Sequence, residues 1–239
     1  MGKAQNHPTG FVRQRDKKDK LMIQGVFIRR KSRRLAEVEI SGRIVEAYIS
    51  NGIDMSFLEN GAVCFLREAE NTNRRSPVDL YSVYDKGILV CVDAKEPIRI
   101  AEKWYLKNYK DEGQQMSFYA DIKGMMLLSM NRKKHDIVIQ VMGTSFVDNR
   151  VAYLPEMPSA ALNERLESLL WMKENGQDPR LLFVVCRDDA DSFSANRTTD
   201  PYFADLLSDV KEAGIPIEVL RCSVDSEGMT PGCLIPLAV

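Results

Sequence analysis

The spacing of apolar residues changes once along this chain, between Val92 and Pro97, and this change constrains the fold most. Before it, short apolar segments alternate with turn sequences and show no helical period. After it, apolar residues recur at helical spacing, and helical segments then alternate with longer apolar runs. The pattern predicts a small β-barrel followed by an α/β layer domain on a mixed sheet, with the junction near residue 96.

The first part contains six short segments with the character of strands. Turn signals at Ser41-Gly42, Asn51-Gly52 and Asn60-Gly61 separate several of them. The predicted strands cover 25–30, 35–40, 44–49, 62–66, 78–84 and 88–92. Strands this short and this closely spaced favour a barrel over an open sheet.

The second part alternates helices with apolar segments. Ser159 begins one predicted helix, which ends near Asn175-Gly176, and Asp200 with Pro201 begins another. Between them, the run 181–186 has the length and the β-branched content of a strand buried on both faces. We expect Trp104 and Trp171 to be core residues of helices.

Charge is unevenly distributed although the formal net charge is only −1. Residues 1–34 carry a net charge of +9, and the rest of the chain carries −10. We interpret 1–20 as a flexible basic arm, 21–96 as the barrel domain and 97–239 as the α/β domain. A basic N-terminal region of this kind favours binding to a polyanionic partner. The alternative is that it serves as an arm that increases solubility.

Other classes of protein fit the sequence poorly. No apolar run approaches the roughly 20 residues that span a bilayer, so we expect a cytoplasmic protein with no membrane segment. The five cysteines are odd in number and form no C-x-x-C pair, which argues against a disulfide framework or a zinc site.

Two groups of basic residues are candidate nucleic-acid contacts. The first group lies around the predicted turn at residue 32, and the second precedes the predicted strand 78–84. They are Arg29, Arg30, Lys31, Arg33 and Arg34, and then Arg74 and Arg75. Several such side chains would bind phosphates with a steep salt dependence. The alternative is that both groups are solvated strand, turn and loop residues.

From residue 25 to the C-terminus the chain resembles the bacterial sugar fermentation stimulation protein A family. The matching segments occur in order and include FIRRKSRRLAEVEI, NRRSPVDLYSV, ILVCVDA, LLFVVCRDDADSF, TTDPYFADLL and AGIPIEVLRCSV. The resemblance implies an OB-like barrel joined to a domain similar to the PD-(D/E)xK nucleases, and a DNA-binding or nuclease-like role. DNA is therefore a more expected partner than RNA.

The chain departs from the family pattern at its inferred catalytic positions. The family sequence S-R-F-D-F becomes MLLSM at 126–130, which puts Ser129 at the aspartate, and V-E-V-K-S becomes Ile139 to Gly143. Gln140 and Met142 thus replace the glutamate and the lysine. Since Mg²⁺ prefers anionic oxygen ligands, we expect no nuclease activity and no cofactor.

Two alternatives remain open at the level of sequence. In the first, carboxylates at new positions, Asp136, Glu156 and Glu164, would rebuild a Mg²⁺-dependent nuclease. Three further acids that follow a predicted strand could ligate a cation, although a solvated strand exit is the simpler interpretation; they are Asp188, Asp189 and Asp191. In the other alternative, methionines fill the old cleft, and the domain serves as a protein-interaction scaffold or as part of a homo-oligomer.

Overall fold

The computed structural model describes residues 22–50, 57–69, 74–108, 116–120, 125–130 and 136–238, with 116–120, 125–130 and 136 described by their backbone alone. The arm predicted at 1–20 lies outside these residues. The N-terminal part contains β1 (Ile23–Ser32), β2 (Leu35–Ile40), β3 (Arg43–Tyr48), β4 (Val63–Glu68), β5 (Val78–Asp85) and β6 (Ile88–Cys91). The C-terminal part contains α1 (Glu96–Asn108), β7 (Met116–Ala120), β8 (Met125–Met130), β9 (Asp136–Thr144), β10 (Val147–Asp148), β11 (Val151–Leu154), α2 (Ala160–Glu174), β12 (Asp178–Val185), β13 (Ser192–Ala195), α3 (Pro201–Glu212), β14 (Ile217–Val224) and β15 (Met229–Leu234).

The first five strands close into a barrel. They pair in the order β3-β2-β1-β4-β5, and a parallel pairing of β3 with β5 completes the ring. The β2–β3 hairpin turns at Ser41 and Gly42, whose φ angles of 50° and 76° give the left-handed conformation of a tight hairpin turn. Gly25 lets β1 pass close to β2, because a Cβ there would lie 2.9 Å from the Glu39 carbonyl oxygen.

The C-terminal domain is built on a six-stranded mixed sheet in the order β15-β14-β12-β9-β8-β7. Strand β12 lies in its centre and runs parallel to β9 and β14. Its residues Leu181 to Val185 are all buried, which confirms the expected strand covered on both faces. Sequence reasoning missed β13 and β15, whose short, partly exposed segments carry no continuous apolar run.

Helices α2 and α3 begin as the capping residues predict. The Ser159 side chain accepts a hydrogen bond from the Leu162 amide, and Asp200 accepts one from the Phe203 amide. The prediction for Trp171 is wrong, since its side chain is 58% exposed on the outer face of α2. Helical spacing predicts which residues share a face of a helix, but it does not predict how much of that face is covered. On α2, only Leu166 and Leu169 are fully buried.

Two apolar layers cover the mixed sheet. On one face, α1 packs together with the barrel residues Tyr81 and Cys91. On the other face, α2 and α3 cover a cluster that includes Met142 and Phe183. The predicted order, a barrel followed by a mixed α/β domain, is confirmed. Among the described residues, none of the helices combines the length and apolar composition that crossing a bilayer requires.

Candidate functional site

Strand β9 carries two of the three inferred catalytic positions into the interior. Gln140 and Met142 lie two residues apart and therefore share a face of the sheet. Their exposed fractions are 0% and 1%. The Gln140 amide donates to the Val141 carbonyl oxygen at 3.3 Å, and Met142 joins the apolar cluster under α2 and α3. This face therefore offers a neutral amide and a thioether inside a packed core.

The third inferred position, Ser129, lies on β8, where its backbone pairs with Asp136 of β9. The side chains of both residues fall outside the described part of the structure, so any role of the Asp136 carboxylate stays a prediction. Across the described residues, no three His, Cys, Asp or Glu side chains come together in a way that could hold a metal ion.

Glu156 and Glu164, the other two carboxylates of the nuclease alternative, have different surroundings. Glu164 is exposed on α2. Glu156 accepts a hydrogen bond at 3.4 Å from the Ser145 hydroxyl, just beyond the end of β9. Burial raises the pKa of Glu156, although the hydrogen bonds from Ser145 act in the opposite direction.

Two of the three aspartates after β12 are engaged by arginines. Arg187 donates two hydrogen bonds to Asp189, at 2.6 and 2.8 Å. Arg150 donates in the same two-point manner to Asp191. Guanidinium groups thus occupy the carboxylate oxygens that a cation would need.

The basic residues on the barrel meet two glutamates that sequence reasoning left out. Arg29 lies 2.8 Å from Glu37, and Lys31 lies 2.6 Å from Glu46 and 3.6 Å from Glu37. Arg75 comes from the segment before β5 and lies 3.3 Å from the other oxygen of Glu46. Two carboxylates thus hold three cations in one network on the barrel surface, which we call the ion-pair network.

The ion-pair network shifts the titration of its members. The hydrogen bond from Arg29 holds the pKa of Glu37 below its usual range, and the hydrogen bond from Lys31 does the same for the pKa of Glu46. In return, Glu46 raises the pKa of Lys31. Both glutamates are therefore ionised at neutral pH and offset part of the basic charge.

The other predicted basic residues contact different partners. Arg30 donates to the carbonyl oxygens of Ser32 and Arg33, at 3.2 and 2.9 Å. Arg34 donates to the Ser50 carbonyl oxygen. Arg74 stacks over the Tyr48 ring at 4.6 Å and lies 2.5 Å from Asp79.

The register of the β2–β3 hairpin could have identified Glu37 and Glu46 as neighbours from the sequence. A two-residue turn at Ser41-Gly42 pairs position 37 with position 46, and the structure has that pairing. The pattern LAEVEI placed its glutamates on alternate positions, hence on the outer face that also carries Arg29. Arg75 could not be placed this way, because no local pairing connects it to the hairpin.

A buried ionic cluster lies where the barrel meets the α/β domain. Arg67 of β4 and Arg99 of α1 each lie 2.7 Å from the same oxygen of Glu96. The Tyr81 hydroxyl donates to the other oxygen at 3.2 Å. Burial alone would raise the pKa of Glu96, but the two arginines outweigh it and hold that pKa below its usual range.

A second buried cluster joins the same two domains. The Arg187 side chain is 5% exposed and lies 2.9 Å from Asp85, at the end of β5. It also donates to the Ser145 carbonyl oxygen at 3.3 Å. Together with its two bonds to Asp189, these contacts tie the barrel to the ends of β9 and β12.

Comparison with known proteins agrees with this architecture. Residues 28–92 match the family model described as the SfsA N-terminal OB domain, so the barrel is an OB domain as expected. Residues 99–228 match the model described as the sugar fermentation stimulation protein RE domain. The two matches follow the chain order of the barrel and the α/β domain.

Relatives match along most of their length. The sugar fermentation stimulation protein homolog of Acetivibrio thermocellus is 29% identical over 215 residues, which cover 86% of this chain and 91% of the relative. The homolog of Carboxydothermus hydrogenoformans is also 29% identical, over 214 residues that cover 87% and 93%.

A solved structure has the same fold. It is that of Pyrococcus furiosus SfsA in complex with Ca²⁺, and it superposes with a TM-score of 0.78 at 20% identity, covering 91% of this chain and 96% of that one. The match to the second family model alone spans more than half of the sequence. The chain therefore belongs to the sugar fermentation stimulation protein family.

Proposed function

We propose that the protein binds nucleic acid, DNA in preference to RNA, through the basic side chains of its barrel, and that its α/β domain does not cut the strand. One observation carries this proposal. Lys31 and Arg75, which are far apart in sequence, contact the two oxygens of one Glu46 carboxylate at 2.6 and 3.3 Å. The basic hairpin and the segment before β5 thus share one side of the barrel.

We use the name basic patch for the seven basic side chains predicted as contacts, of which the ion-pair network brings Arg29, Lys31 and Arg75 together. It consists of Arg29, Arg30, Lys31, Arg33, Arg34, Arg74 and Arg75. Three carboxylates of the described residues, Glu37, Glu46 and Asp79, pair with it, and setting these three against the seven cations leaves a net charge of about +4 for a polyanion. OB domains often bind oligonucleotides, although fold alone does not establish the partner.

Salt dependence is the sharpest test, because phosphate contacts release counterions. With about four phosphates neutralised, the association constant should fall roughly 100-fold between 50 and 200 mM salt. Fluorescence anisotropy with a labelled 30-base-pair DNA and an RNA duplex of equal length measures this slope and the DNA preference. No affinity at low salt, or an affinity that salt leaves unchanged, would contradict the proposal.

Variants locate the binding surface. Replacing Arg33 and Arg34 together by glutamine should weaken DNA binding and reduce the salt slope by about 2. The control is Arg197→Gln, which removes an exposed arginine from the α/β domain, where it pairs with Asp205. That variant should bind DNA as the unchanged protein does.

The α/β domain lacks the ligands that a metal-dependent nuclease needs at its family positions. The structure of the Pyrococcus furiosus relative is of its complex with Ca²⁺, a hard cation that takes carboxylate and carbonyl oxygens. In this chain the face of β9 that carries two of the inferred catalytic positions presents the buried amide of Gln140 and the buried thioether of Met142. These two residues do not fit a bound divalent cation.

A cleavage assay tests this second half of the proposal separately. Plasmid and single-stranded DNA should stay intact with the purified protein in Mg²⁺ and in Mn²⁺. Cleavage that is abolished by Asp136→Ala or Glu156→Ala would instead support the nuclease with relocated carboxylates.

A further inference from the structure

We propose that Glu37 and Glu46 set the nucleic-acid affinity of the barrel by occupying, in the free protein, the cations that would otherwise bind phosphate. This inference rests on the proposed function and adds that two carboxylates on the same surface limit its affinity for nucleic acid. The two carboxylates act as internal competitors, so binding requires phosphates to displace them from Arg29, Lys31 and Arg75.

The geometry of the hairpin explains why the two carboxylates hold these cations. Glu37 and Glu46 lie directly opposite each other on β2 and β3, where two like charges would repel. Lys31 reaches both, at 3.6 and 2.6 Å, and so relieves that repulsion. Arg29 and Arg75 attach at the outer oxygens of the pair. Each of the three cations thus faces a carboxylate in the absence of a ligand.

A phosphate can replace these carboxylates because the cations stay accessible. The exposed fractions of the Arg29, Lys31 and Arg75 side chains are 67%, 36% and 88%. Ion pairs this close to water are weak and are screened by salt. A phosphate offers anionic oxygens of the same kind as a carboxylate, and arginine binds both with the same planar geometry.

Arg34 of the basic patch differs from Arg29, Lys31 and Arg75. It donates to the Ser50 carbonyl oxygen, which carries no net charge and leaves the positive charge of the guanidinium in place. Removing a carboxylate of the ion-pair network should therefore change the phosphate affinity of Arg29, Lys31 and Arg75 more than that of Arg34.

The experiment compares Glu46→Gln with Glu39→Gln in the full chain. Glu39 lies on β2, on the same face as Glu37, and makes no ion pair within the described residues. Both variants remove one negative charge from the same surface, but only Glu46→Gln releases Arg75 from its carboxylate and removes the nearer of the two carboxylates from Lys31. Anisotropy with the labelled 30-base-pair DNA gives the affinity and the salt slope of each.

The expected difference follows from counterion release. Each additional phosphate contact raises the association constant about eightfold at 0.1 M salt, so Glu46→Gln should bind at least about eightfold more tightly, with a slope steeper by about 1 to 2. Glu39→Gln should change the affinity by less than about threefold. Adding Glu37→Gln to Glu46→Gln should strengthen binding further, because Arg29 then loses its carboxylate and Lys31 loses the second of its two.

The outcomes separate this inference from the proposed function. If the unchanged protein binds DNA and the two single variants gain affinity equally, charge acts only at long range and the inference is wrong, while the proposed function stands. If neither the unchanged protein nor any glutamine variant binds DNA at low salt, the proposed function itself fails.

Discussion

The exposed ion-pair network on the barrel and the two buried ionic clusters at the domain junction use the same side chains for different purposes. In the network, Arg29 and Arg75 are 67% and 88% exposed. At the junction, the side chains of Arg187 and Glu96 are 5% and 3% exposed. Exposed charged side chains can exchange a carboxylate partner for another anion, whereas the buried ones cannot. Burial, rather than the number of contacts, makes this difference.

The physical reason lies in what is left behind when a pair is broken. An exposed charge that loses its partner is solvated by water, so the pair contributes at most about 1 kcal/mol. A buried charge that loses its partner has no such replacement, and the cost reaches roughly 3–5 kcal/mol. We therefore expect variants of the buried clusters to change stability and variants of the exposed network to change binding.

The largest effect should come from Arg187→Met. It removes the partner of both Asp85 and Asp189 while preserving much of the side-chain volume. The free energy of unfolding, measured by urea denaturation, should fall by about 3–5 kcal/mol. Arg197→Met is the control, since Arg197 and Asp205 are each 61% exposed, and it should cost less than about 1 kcal/mol. Equal losses in the two variants would remove the distinction between buried and exposed pairs.

Glu96→Gln should have the next largest effect. The substitution keeps the shape of the side chain but replaces charge-assisted hydrogen bonds from Arg67 and Arg99 by weaker ones. Hydrogen bonds to charged groups contribute roughly 1.5–3 kcal/mol, and we expect a loss of that order in urea denaturation at pH 7.

The pH dependence of this variant gives an independent check. The arginines lower the pKa of Glu96 in the folded protein, so its contribution to stability is present above the unfolded pKa and is lost as the pH falls through the folded pKa. The difference between the unchanged protein and Glu96→Gln should therefore shrink as the pH is lowered from about 5 toward 3. A difference that does not depend on pH would mean that the charge of Glu96 is not what stabilises the junction.

Gly143→Ala tests how tightly α1, which carries Glu96 at its start, packs on β9, without changing any charge. A Cβ at this position on β9 would lie 2.4 Å from Cγ of Pro97, at the start of α1. Overpacking of this kind costs typically 1–3 kcal/mol, which urea denaturation resolves. Combining it with Pro97→Ala should restore most of the loss, because the clashing atom is removed. If the two substitutions instead lowered the free energy of unfolding additively, the added methyl group would not be clashing with Pro97, because α1 had shifted away from β9.

The sequence predicted much of this fold because its main signals are local. The Ser159 and Asp200 caps, the buried run that became β12 and the strands of the barrel all depend on residues close to each other in the chain. Strand β13 was missed because its partner, β11, lies far away in the chain. Strand β15 pairs with the neighbouring β14 and was missed because its segment is mostly exposed and has no continuous apolar run. The exposure of Trp171 depends on how α2 packs in the folded protein, which helical spacing does not encode.

The candidate site, too, could be predicted from the sequence only in part. The basic residues, and Gln140 and Met142 at the inferred catalytic positions, could be named from the sequence, whereas the carboxylates that face the basic residues could not be paired with Arg75. The buried clusters around Glu96 and Arg187 connect residues 29 and 102 positions apart, respectively. Such contacts are set by the docking of two domains, which no local pattern encodes.

The smallest stability effect should come from the ion-pair network. Glu46→Gln should leave the free energy of unfolding in urea denaturation nearly unchanged, since the cations that it releases are solvated by water. High salt should shrink even that difference by screening the exposed pairs. If the variant instead loses several kcal/mol, the network stabilises the barrel as the buried clusters stabilise the junction, and its carboxylates are not free to yield to phosphate.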